Sequence, residues 1–299
     1  MARASALVKP AIQELIHLHV LRSERLAPHW QRITLGGAEI DRFTPMGFDQ
    51  WFRIFLPVGG DDGLERIPAK ANKLLGYLQY LRIPGGMRPV MRNYSVRAYR
   101  PAGASGGPEI DVDFVLHGSA ANGTAGPASS WAETCRPGDS VVIIDEGLGF
   151  NPARGTDRVL LLADETGLPA VAGVCASLPA SATGIAIIEV PSTHDALAFE
   201  RPRNVEVRWV VREPDAKPGA CALAALQDTS TDATLTASGI HAFIVGEQSL
   251  PTGARRLLVE RGVDKNAISF VGYWRTGSAS PTSKSQRATA AGSAGDARA

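Results

Sequence analysis

Short segments in which apolar and polar residues alternate dominate the first half of the chain. Alternation with a period of two is typical of strands that bury one face, and Gly- or Pro-containing turns separate the segments. They span residues 17–25, 30–35, 50–56, 92–99, 109–117 and 140–144. These short strands predict a closed antiparallel β-barrel. A long insertion between Gly59 and Pro89, with a predicted helix over 69–81, and a second predicted helix over 128–135 complete this half.

After residue 155 the pattern changes to continuous apolar runs, beginning with residues 158–163. Runs without alternation are typical of strands buried on both faces of a parallel sheet. Predicted strands at 158–163, 184–190, 205–210, 241–245 and 268–274 alternate with predicted helices at 168–177, 220–227 and 252–261. This order predicts a Rossmann-like parallel α/β sheet. We therefore expect a β-barrel domain over residues 1–153, an α/β domain over 154–277, and a disordered Ser-, Ala- and Gly-rich tail over 278–299.

The overall composition narrows the classes of function. Lys and Arg number 31 against 30 Asp and Glu, so the net charge of +1 gives no general attraction to nucleic acid or to a membrane. Three scattered cysteines predict neither a disulfide scaffold nor an iron–sulfur or zinc site. No apolar run is long enough to span a membrane, and the first ten residues lack the apolar core of a signal peptide. We expect a cytoplasmic monomer whose partner is a small molecule.

A pattern suited to binding an anion lies in the barrel half. Arg92, Tyr94 and Ser95 form an R-x-Y-S box on a predicted strand, which offers a guanidinium fork, a flat ring and a hydroxyl. Downstream, a turn containing Ser129 and Ser130 opens a predicted helix, and helix N-termini offer free N–H groups to anions. Together they predict a flavin dinucleotide held by its pyrophosphate. Taken singly, the arginine could be a solvated charge and the tyrosine a packing residue.

Several pieces of sequence occur in the order found in one family of flavin enzymes. They are RNYSVR (92–97), DVDFVLHG (111–118), GPASSWA (126–132), PGD (137–139), DETGLPA (164–170), GE (246–247) and GYWR (272–275). In these pieces the chain resembles the siderophore-interacting proteins, which are FAD-dependent ferric-siderophore reductases of the ferredoxin reductase superfamily. The resemblance implies an FAD-binding barrel followed by an NAD(P)H-binding α/β domain.

The resemblance also implies which residues bind the cofactors. These are Arg92, Asn93, Tyr94, Ser95, Asp113, His117, Gly118, Ala128, Ser129, Ser130, Trp131, Asp164, Thr166 and Trp274. Trp131 has packing as its alternative role, and Trp274 would either cover the flavin or seal the domain interface. His117 has a structural hydrogen bond as its alternative.

The turn after the first strand of the α/β half departs from the usual dinucleotide fingerprint. It reads Asp164–Gly167 rather than G-x-G-x-x-G, and two carboxylates facing a pyrophosphate would repel it. The family that the chain resembles shares this departure, which implies a looser nicotinamide site with Thr166 and the backbone near the flavin–nicotinamide junction. The alternative for the acidic pair is a helix N-terminus stabilised by the macrodipole. After the next strand, Thr193 and His194 would suit a 2′-phosphate and Asp195 a 2′-hydroxyl, which leaves NADPH and NADH both open.

Basic side chains are the candidates for binding an anionic ferric siderophore. They are Arg53, Lys70, Lys73, Arg97 and Arg275. Arg88, near the end of the insertion, could join them. Each alone could be a solvated surface charge, and only clustering at the flavin edge would make them a site. No catalytic acid–base residue and no protein metal site are expected, because electron transfer needs position and electrostatics rather than a proton-transfer pair.

The function that follows is reduction of a ferric siderophore by NAD(P)H through FAD, with release of iron as Fe(II). Two alternatives stay open. One is a general flavin reductase or an electron-transfer component for another partner, and the other is a non-enzymatic siderophore-binding protein. Flavin bound to the purified protein would favour the ferric-siderophore reductase or the general flavin reductase over the non-enzymatic binding protein.

Overall fold

The computed structural model of the chain describes residues 7–71, 74–118, 125–152, 155–229 and 239–277. The first sheet contains β1 (Ile16–Ala27), β2 (Trp30–Gly36), β3 (Trp51–Leu56), β4 (Val90–Ser95), β5 (Ala98–Arg100), β6 (Glu109–Val115) and β7 (Ser140–Gly147). Helices α1 (Leu74–Leu81) and α2 (Pro127–Thr134) accompany it. Its strands are antiparallel in the order β4-β3-β7-β1-β2-β6-β5. The alternating apolar side chains, among them Leu18, Ile33 and Phe52, fill one buried core.

The predicted strand over 92–99 is two strands, because the chain changes partner in the middle of it. The backbone N–H of Val96 donates to the carbonyl oxygen of Gln50, just before β3, at 2.8 Å. The next N–H, that of Arg97, donates to Asp111 of β6 at 2.9 Å. The two strands at the ends of the sheet order are thus consecutive in the chain, and this connection closes the sheet into a barrel.

The insertion between β3 and β4 lies on the outer face of the barrel. Its helix α1 covers Leu74–Leu81, and the described residues 69–71 at the start of the predicted helix are not helical. The ring of Tyr80 packs edge-on against Phe55, with ring centroids 5.8 Å apart, and its hydroxyl donates to the carbonyl oxygen of Pro89 at 2.7 Å. A Cβ at Gly76 would lie 2.1 Å from the carbonyl oxygen of Lys70, so only glycine permits this close approach. These contacts fix which face of α1 points inward.

The second sheet is parallel and its strands are mostly buried. It contains β8 (Arg158–Ala163), β9 (Thr183–Val190), β10 (Asn204–Val211), β11 (Ile240–Glu247) and β12 (Ile268–Trp274), with α3 (Leu168–Ser177), α4 (Ala220–Asp228) and α5 (Ser249–Glu260) as connections. The order β10-β9-β8-β11-β12 places the topological switch point between β8 and β11. A barrel followed by a parallel α/β sheet confirms the predicted fold class.

Buried aromatic side chains join the two halves. The ring centroid of Phe48, before β3, lies 5.7 Å from that of Phe150, which in turn lies 5.4 Å from that of Phe243 on β11. The backbone N–H of Phe48 donates to Ser177 on α3 at 2.6 Å. No helix within the described ranges is long and apolar enough to cross a membrane. The predicted boundary at residues 153–154 and the predicted tail over 278–299 lie outside the described residues.

Candidate flavin and nicotinamide site

Arg92 on β4 differs from the arginines around it, because no carboxylate pairs with it in the described part of the chain. Its Nη1 donates to the carbonyl oxygen of Met91 at 2.8 Å. Neighbouring arginines of the barrel are ion-paired: Arg22 with Glu109, Arg32 with Asp113, Arg53 with Glu146, Arg97 with Asp113, and Arg100 with Asp111. A partly buried guanidinium without an internal anion can accept an external one, for which it has both the charge and the fork geometry.

Helix α2 begins without a capping side chain. Gly126 is its N-cap and Pro127 its first residue, so the N-cap itself has no side chain to accept a hydrogen bond from the first-turn N–H groups. The buried Ser129 hydroxyl accepts a hydrogen bond from the backbone N–H of His117 at 3.2 Å, which ties the helix start to the end of β6. Gly118 follows with φ 71°, a conformation that favours glycine. Ala128 is buried and Ser130 is partly buried in the same turn.

An aromatic cluster brings β4, β6 and α2 together. The ring centroid of Tyr94 lies 4.2 Å from that of Phe114, and Phe114 lies 5.6 Å from Trp131 on α2. The strand that carries Arg92 and the uncapped helix are therefore neighbours. Asn93 points to the opposite, exposed face of β4. In this arrangement Trp131 is a packing residue, and its predicted contact with a cofactor stays a prediction.

Asp164 follows β8 at the topological switch point and accepts four hydrogen bonds. Its Oδ1 accepts from the N–H and the hydroxyl of Thr166 at 2.9 and 2.5 Å. Its Oδ2 accepts from the N–H of Glu247 at 2.6 Å and from Nε1 of Trp274 at 3.2 Å. The carboxylate thus joins the ends of β8, β11 and β12. Burial, with the charge of Glu165, raises the pKa of Asp164 to about 7, and the hydrogen bonds from Thr166 and Glu247 oppose this shift.

Glu165 is turned away from Asp164 into a buried ion network. Its Oε2 is hydrogen-bonded to Arg212, whose Nε lies 2.5 Å from Glu189. Glu189 also accepts the backbone N–H groups of Gly219 and Ala222 at 2.8 and 3.0 Å. Burial raises the pKa of Glu165, and the Arg212 guanidinium opposes that shift. Both carboxylates of the turn therefore have internal partners in the described structure.

His117 and Trp274 face one another across the junction between the barrel and the parallel sheet. Their ring centroids are 6.4 Å apart. Burial lowers the pKa of His117, the charge of Asp164 opposes this effect, and the charges of Arg212 and His29 add to it. The imidazole is therefore neutral at neutral pH and offers a hydrogen bond rather than a charge. Both residues were predicted to contact a cofactor, and the structure brings them together.

A link between Ser95 and Tyr273 was missed by the sequence interpretation. Burial raises the pKa of Tyr273, the charges of Asp49 and Asp164 add to this shift, and a hydrogen bond with Ser95 opposes it. The phenol of Tyr273 on β12 therefore lies near Ser95, at the end of β4 and in the predicted flavin box. Tyr273 precedes Trp274 on a strand, so the two rings point to opposite faces. In the sequence, the only sign of this was that neighbouring side chains of a strand alternate, so that Tyr273 and Trp274 meet different neighbours.

Asp195 holds the two halves of the molecule together. Its Oδ1 accepts the backbone N–H of His29 at 3.0 Å, and its Oδ2 lies 2.8 Å from Nδ1 of His29 and 2.6 Å from the hydroxyl of Ser192. This buried carboxylate is fully engaged, which disfavours the interpretation of Asp195 as a reader of a ribose hydroxyl. Thr193 and His194 beside it are exposed.

Two of the predicted substrate-binding cations are ion-paired with carboxylates of the barrel. Arg53 is 7% exposed and lies 2.7 Å from Glu146, and Arg97 is 15% exposed and lies 3.4 Å from Asp113. Asp113, predicted to bind the cofactor, also holds Arg32 through two hydrogen bonds of 2.6 and 2.8 Å. Lys70 and Arg275 are exposed, and Lys73 lies outside the described residues. The paired arginines have structural partners, and their predicted contacts with a ligand stay untested.

The residues present fit FAD. The guanidinium without an anion, the uncapped helix N-terminus and the adjacent Tyr94 supply what a pyrophosphate and an aromatic ring system require. Beside them, the switch point of the parallel sheet is where α/β folds bind nucleotides. This arrangement is that of a flavin- and nicotinamide-dependent oxidoreductase with a ferredoxin reductase-like fold.

Comparison with known proteins places the chain within that class. Residues 19–148 match the siderophore-interacting FAD-binding domain, and residues 156–277 match the siderophore-interacting protein family. The chain belongs to the siderophore-interacting protein family, and its cofactors are FAD and a nicotinamide dinucleotide.

Individual relatives agree with this assignment. An uncharacterized protein of Mycobacterium tuberculosis is 34% identical, over 86% of this chain and 89% of its own. Ferric vibriobactin reductase ViuB of Vibrio cholerae is 25% identical, over 87% and 89%. The NADPH-dependent ferric-chelate reductase of Escherichia coli is 24% identical, over 86% and 91%. The crystal structure of a siderophore utilization protein from T. fusca superimposes with a TM-score of 0.72 at 27% identity, covering 93% of this chain and 99% of that one.

Proposed function

We propose that the protein reduces Fe(III) in a bound siderophore with electrons from NAD(P)H that pass through FAD, and so releases iron as Fe(II). The observation that carries this proposal is the contrast between Arg92 and the ion-paired arginines around it. The other arginines carried by strands of the barrel are paired with carboxylates of the described residues, and Arg92 is available for an external anion. Its position beside an uncapped helix start is what the diphosphate of FAD needs.

When bound, FAD would couple a two-electron hydride donor to a one-electron acceptor, which is the conversion that ferric reduction requires. The chain positions this chemistry. Arg92 and the first turn of α2 would hold the pyrophosphate, and Ser95, with Tyr273 behind it, would lie at the edge of the ring system. Neutral His117 would add a hydrogen-bonding group without adding charge.

The nicotinamide is expected at the switch point between β8 and β11. Asp164 fixes Thr166, the start of the turn at Glu247, and the indole of Trp274 through its four hydrogen bonds. A pocket whose walls are held by one buried carboxylate keeps the donor ring and the flavin in a fixed relationship. Exposed Thr193 and His194, beside an engaged Asp195, favour a 2′-phosphate and therefore NADPH.

The siderophore side of the proposal rests on the family and on charge. Ferric siderophores held by oxygen ligands are commonly anionic, and Arg275 next to Trp274 is an exposed cation at the end of β12. Relatives named for ferric vibriobactin and ferric-chelate reduction support the same substrate class. Reduction weakens the grip of hard oxygen ligands on iron, so release needs no protein metal site.

The test is an anaerobic reaction of the purified, flavin-loaded protein with NADH or NADPH and a panel of ferric siderophores. Flavin absorbance and Fe(II) capture by a ferrous chelator are followed together. We expect bleaching of the flavin, faster with NADPH, then reoxidation and Fe(II) formation that depend on the siderophore. A flavin that is reduced but ignores every ferric chelate would replace the proposal with a general flavin reductase. Protein purified without flavin, and unable to take it up, would contradict the proposal altogether.

A further inference from the structure

Helix α1 carries an unusual outward face. Seven large apolar side chains are exposed in the described part of the chain, and four of them lie on this one helix. They are Leu74 (49% exposed), Leu75 (77%), Leu78 (45%) and Leu81 (38%). At 100° per residue these positions fall within one continuous sector, so they form a single surface, the leucine face. The outward side of a surface helix is normally polar.

Helix α1 cannot rotate about its axis to bury the leucine face against the barrel. The inward side is filled by Tyr80, which packs on Phe55, and by Gly76, which lies against the backbone of Lys70. Adding a leucine side chain where Gly76 lies would overlap backbone atoms. The helix is therefore apolar on both sides, and the outer side lacks an intramolecular cover in the described structure.

The segments outside the described residues are short or poor in large apolar side chains. They read MARASA (1–6), NK (72–73), SAANGT (119–124), AR (153–154), STDATLTAS (230–238) and a Ser-, Ala- and Gly-rich stretch (278–299). None carries a stripe of large apolar residues that could pack on four leucines. The leucine face is therefore open to another molecule.

The charges around the leucine face indicate what that molecule is. From Arg66 to Pro108 the sequence contains no Asp or Glu, so every charged residue around α1 in that stretch is basic. Arg66, Lys70 and Arg82 are exposed and form no ion pair with a carboxylate of the described residues. The acids that precede this stretch, Asp62 and Glu65, are exposed, while Asp61 accepts a hydrogen bond from Ser140 on the barrel. Leucines flanked by unpaired cations match an anionic bilayer surface.

Two other occupants fit less well. A second copy of the chain, docked about a two-fold axis, would bring the same cations face to face. A dedicated protein partner is disfavoured by composition, because binding hot spots are enriched in Trp, Tyr and Arg, whereas leucine is under-represented. A fluid bilayer needs apolar area and positive charge but no shaped anchor.

We infer that the leucine face of α1 docks the protein peripherally on an anionic lipid surface, with Leu74, Leu75, Leu78 and Leu81 in the interface and the flanking cations at the headgroups. The net charge of the whole chain gave no sign of this, because it averages a basic insertion with acidic segments elsewhere. Docking does not depend on the proposed reductase activity, and its test uses neither substrate nor turnover.

The test is co-sedimentation of the full chain with vesicles of phosphatidylcholine, with or without one-third phosphatidylglycerol. Wild-type protein is expected to bind the anionic vesicles and to dissociate as salt is raised. The double variant Leu75→Gln/Leu78→Gln should lower the partition coefficient at least tenfold, since glutamine is compatible with a helix but does not enter the acyl region. Val211→Gln is the matched control, because Val211 is 44% exposed on the other sheet, and its binding should equal that of wild type.

Sedimentation velocity of the same proteins over a hundredfold concentration range measures self-association. Thermal unfolding checks that the substitutions leave the fold intact. Failure of wild type to bind anionic vesicles would overturn the inference. Binding that is equal in wild type and the double variant would also overturn it. Self-association that the double variant abolishes, without vesicle binding, would replace the bilayer by a second copy.

Discussion

The carboxylate of Asp164 accepts the indole N–H of Trp274 at 3.2 Å, and so one buried side chain at the end of β8 fixes the last aromatic ring of β12. The same carboxylate holds Thr166 and the backbone of Glu247. The indole of Trp274, which faces His117 across the junction, is therefore held by a residue at the switch point of the parallel sheet. Orientation of this ring is set by a hydrogen bond rather than by packing alone.

Replacing Asp164 by Asn tests that relationship. The amide keeps one acceptor oxygen but turns an NH₂ group toward N–H donors, so we expect a loss of about 1–3 kcal/mol in the free energy of unfolding. Intrinsic fluorescence should change because Trp274 loses its partner, and no such change should appear when the substitution is made in a Trp274→Phe background. Exposed Asp215→Asn is the control for charge loss. An unaltered emission spectrum in Asp164→Asn would show that the indole is held by packing.

Arg92→Ala should weaken FAD binding without unfolding the protein. Loss of charge-assisted hydrogen bonds to a pyrophosphate is expected to raise the Kd for FAD by roughly ten- to a hundredfold. Flavin fluorescence during titration of the apoprotein measures this. Arg82→Ala removes the same charge from an exposed position nearby and should leave the Kd unchanged. Equal flavin affinity in the two variants would remove Arg92 from the site.

Arg212→Met should be strongly destabilising. It leaves Glu165 and Glu189 buried without their shared cation, and breaking a buried ion network by removing one partner costs about 3–5 kcal/mol. Urea unfolding measures the loss, and adding Glu165→Gln to the variant should recover part of it. Arg208→Met, on β10 just before Arg212, removes only an exposed pair with Glu206 and is expected to change stability little. Similar midpoints for the two arginine variants would contradict the buried network.

His241 predicts a pH dependence of stability. Burial lowers its pKa from 6.5 to about 4, so below pH 6.5 the unfolded chain takes up a proton that the folded chain refuses until about pH 4. The free energy of unfolding should therefore fall by about 3 kcal/mol from this group as the pH drops through that interval. His241→Gln keeps a hydrogen-bonding group for Ser269 but cannot titrate.

The readout is the difference between wild type and His241→Gln in urea unfolding at several pH values. Burial also raises the pKa of Asp49 and of Asp145 to about 6, and these groups affect both proteins alike. A difference that stays constant from neutral pH to pH 4 would refute the assigned origin of the shift.

Lys70→Glu tests the predicted contact of the insertion with an anionic ferric siderophore. We expect KM for the chelate to rise severalfold with little change in kcat, because an exposed charge contributes uniform binding rather than transition-state stabilisation. Lys265→Glu, exposed on the other half, is the control. An unchanged KM would leave Lys70 without a role in substrate binding.

The local sequence pattern was sufficient to predict those elements whose conformation does not depend on residues far away in the chain. The run at 158–163 and the helix over 168–177 occur as predicted, because a buried parallel strand has no polar face and a Pro-initiated apolar helix has no competing conformation. The stretch at 92–99 was predicted as one strand although it is two. Its break is imposed by a change of partner from β3 to β6, which local sequence does not encode.

Side-chain roles divide in the same way. The order of motifs from Arg92 to Arg275 determined the family, the cofactors and the class of reaction, because each motif is a local chemical unit. Tertiary structure decided which charges are free. Arg53, Arg92 and Arg97 look alike in sequence, yet two of them meet carboxylates from distant strands and one does not. Likewise, only packing of Tyr80 against the barrel turns four leucines of α1 to the outside. Pairing and exposure depend on residues far apart in the chain, and for that reason the sequence alone could not assign them.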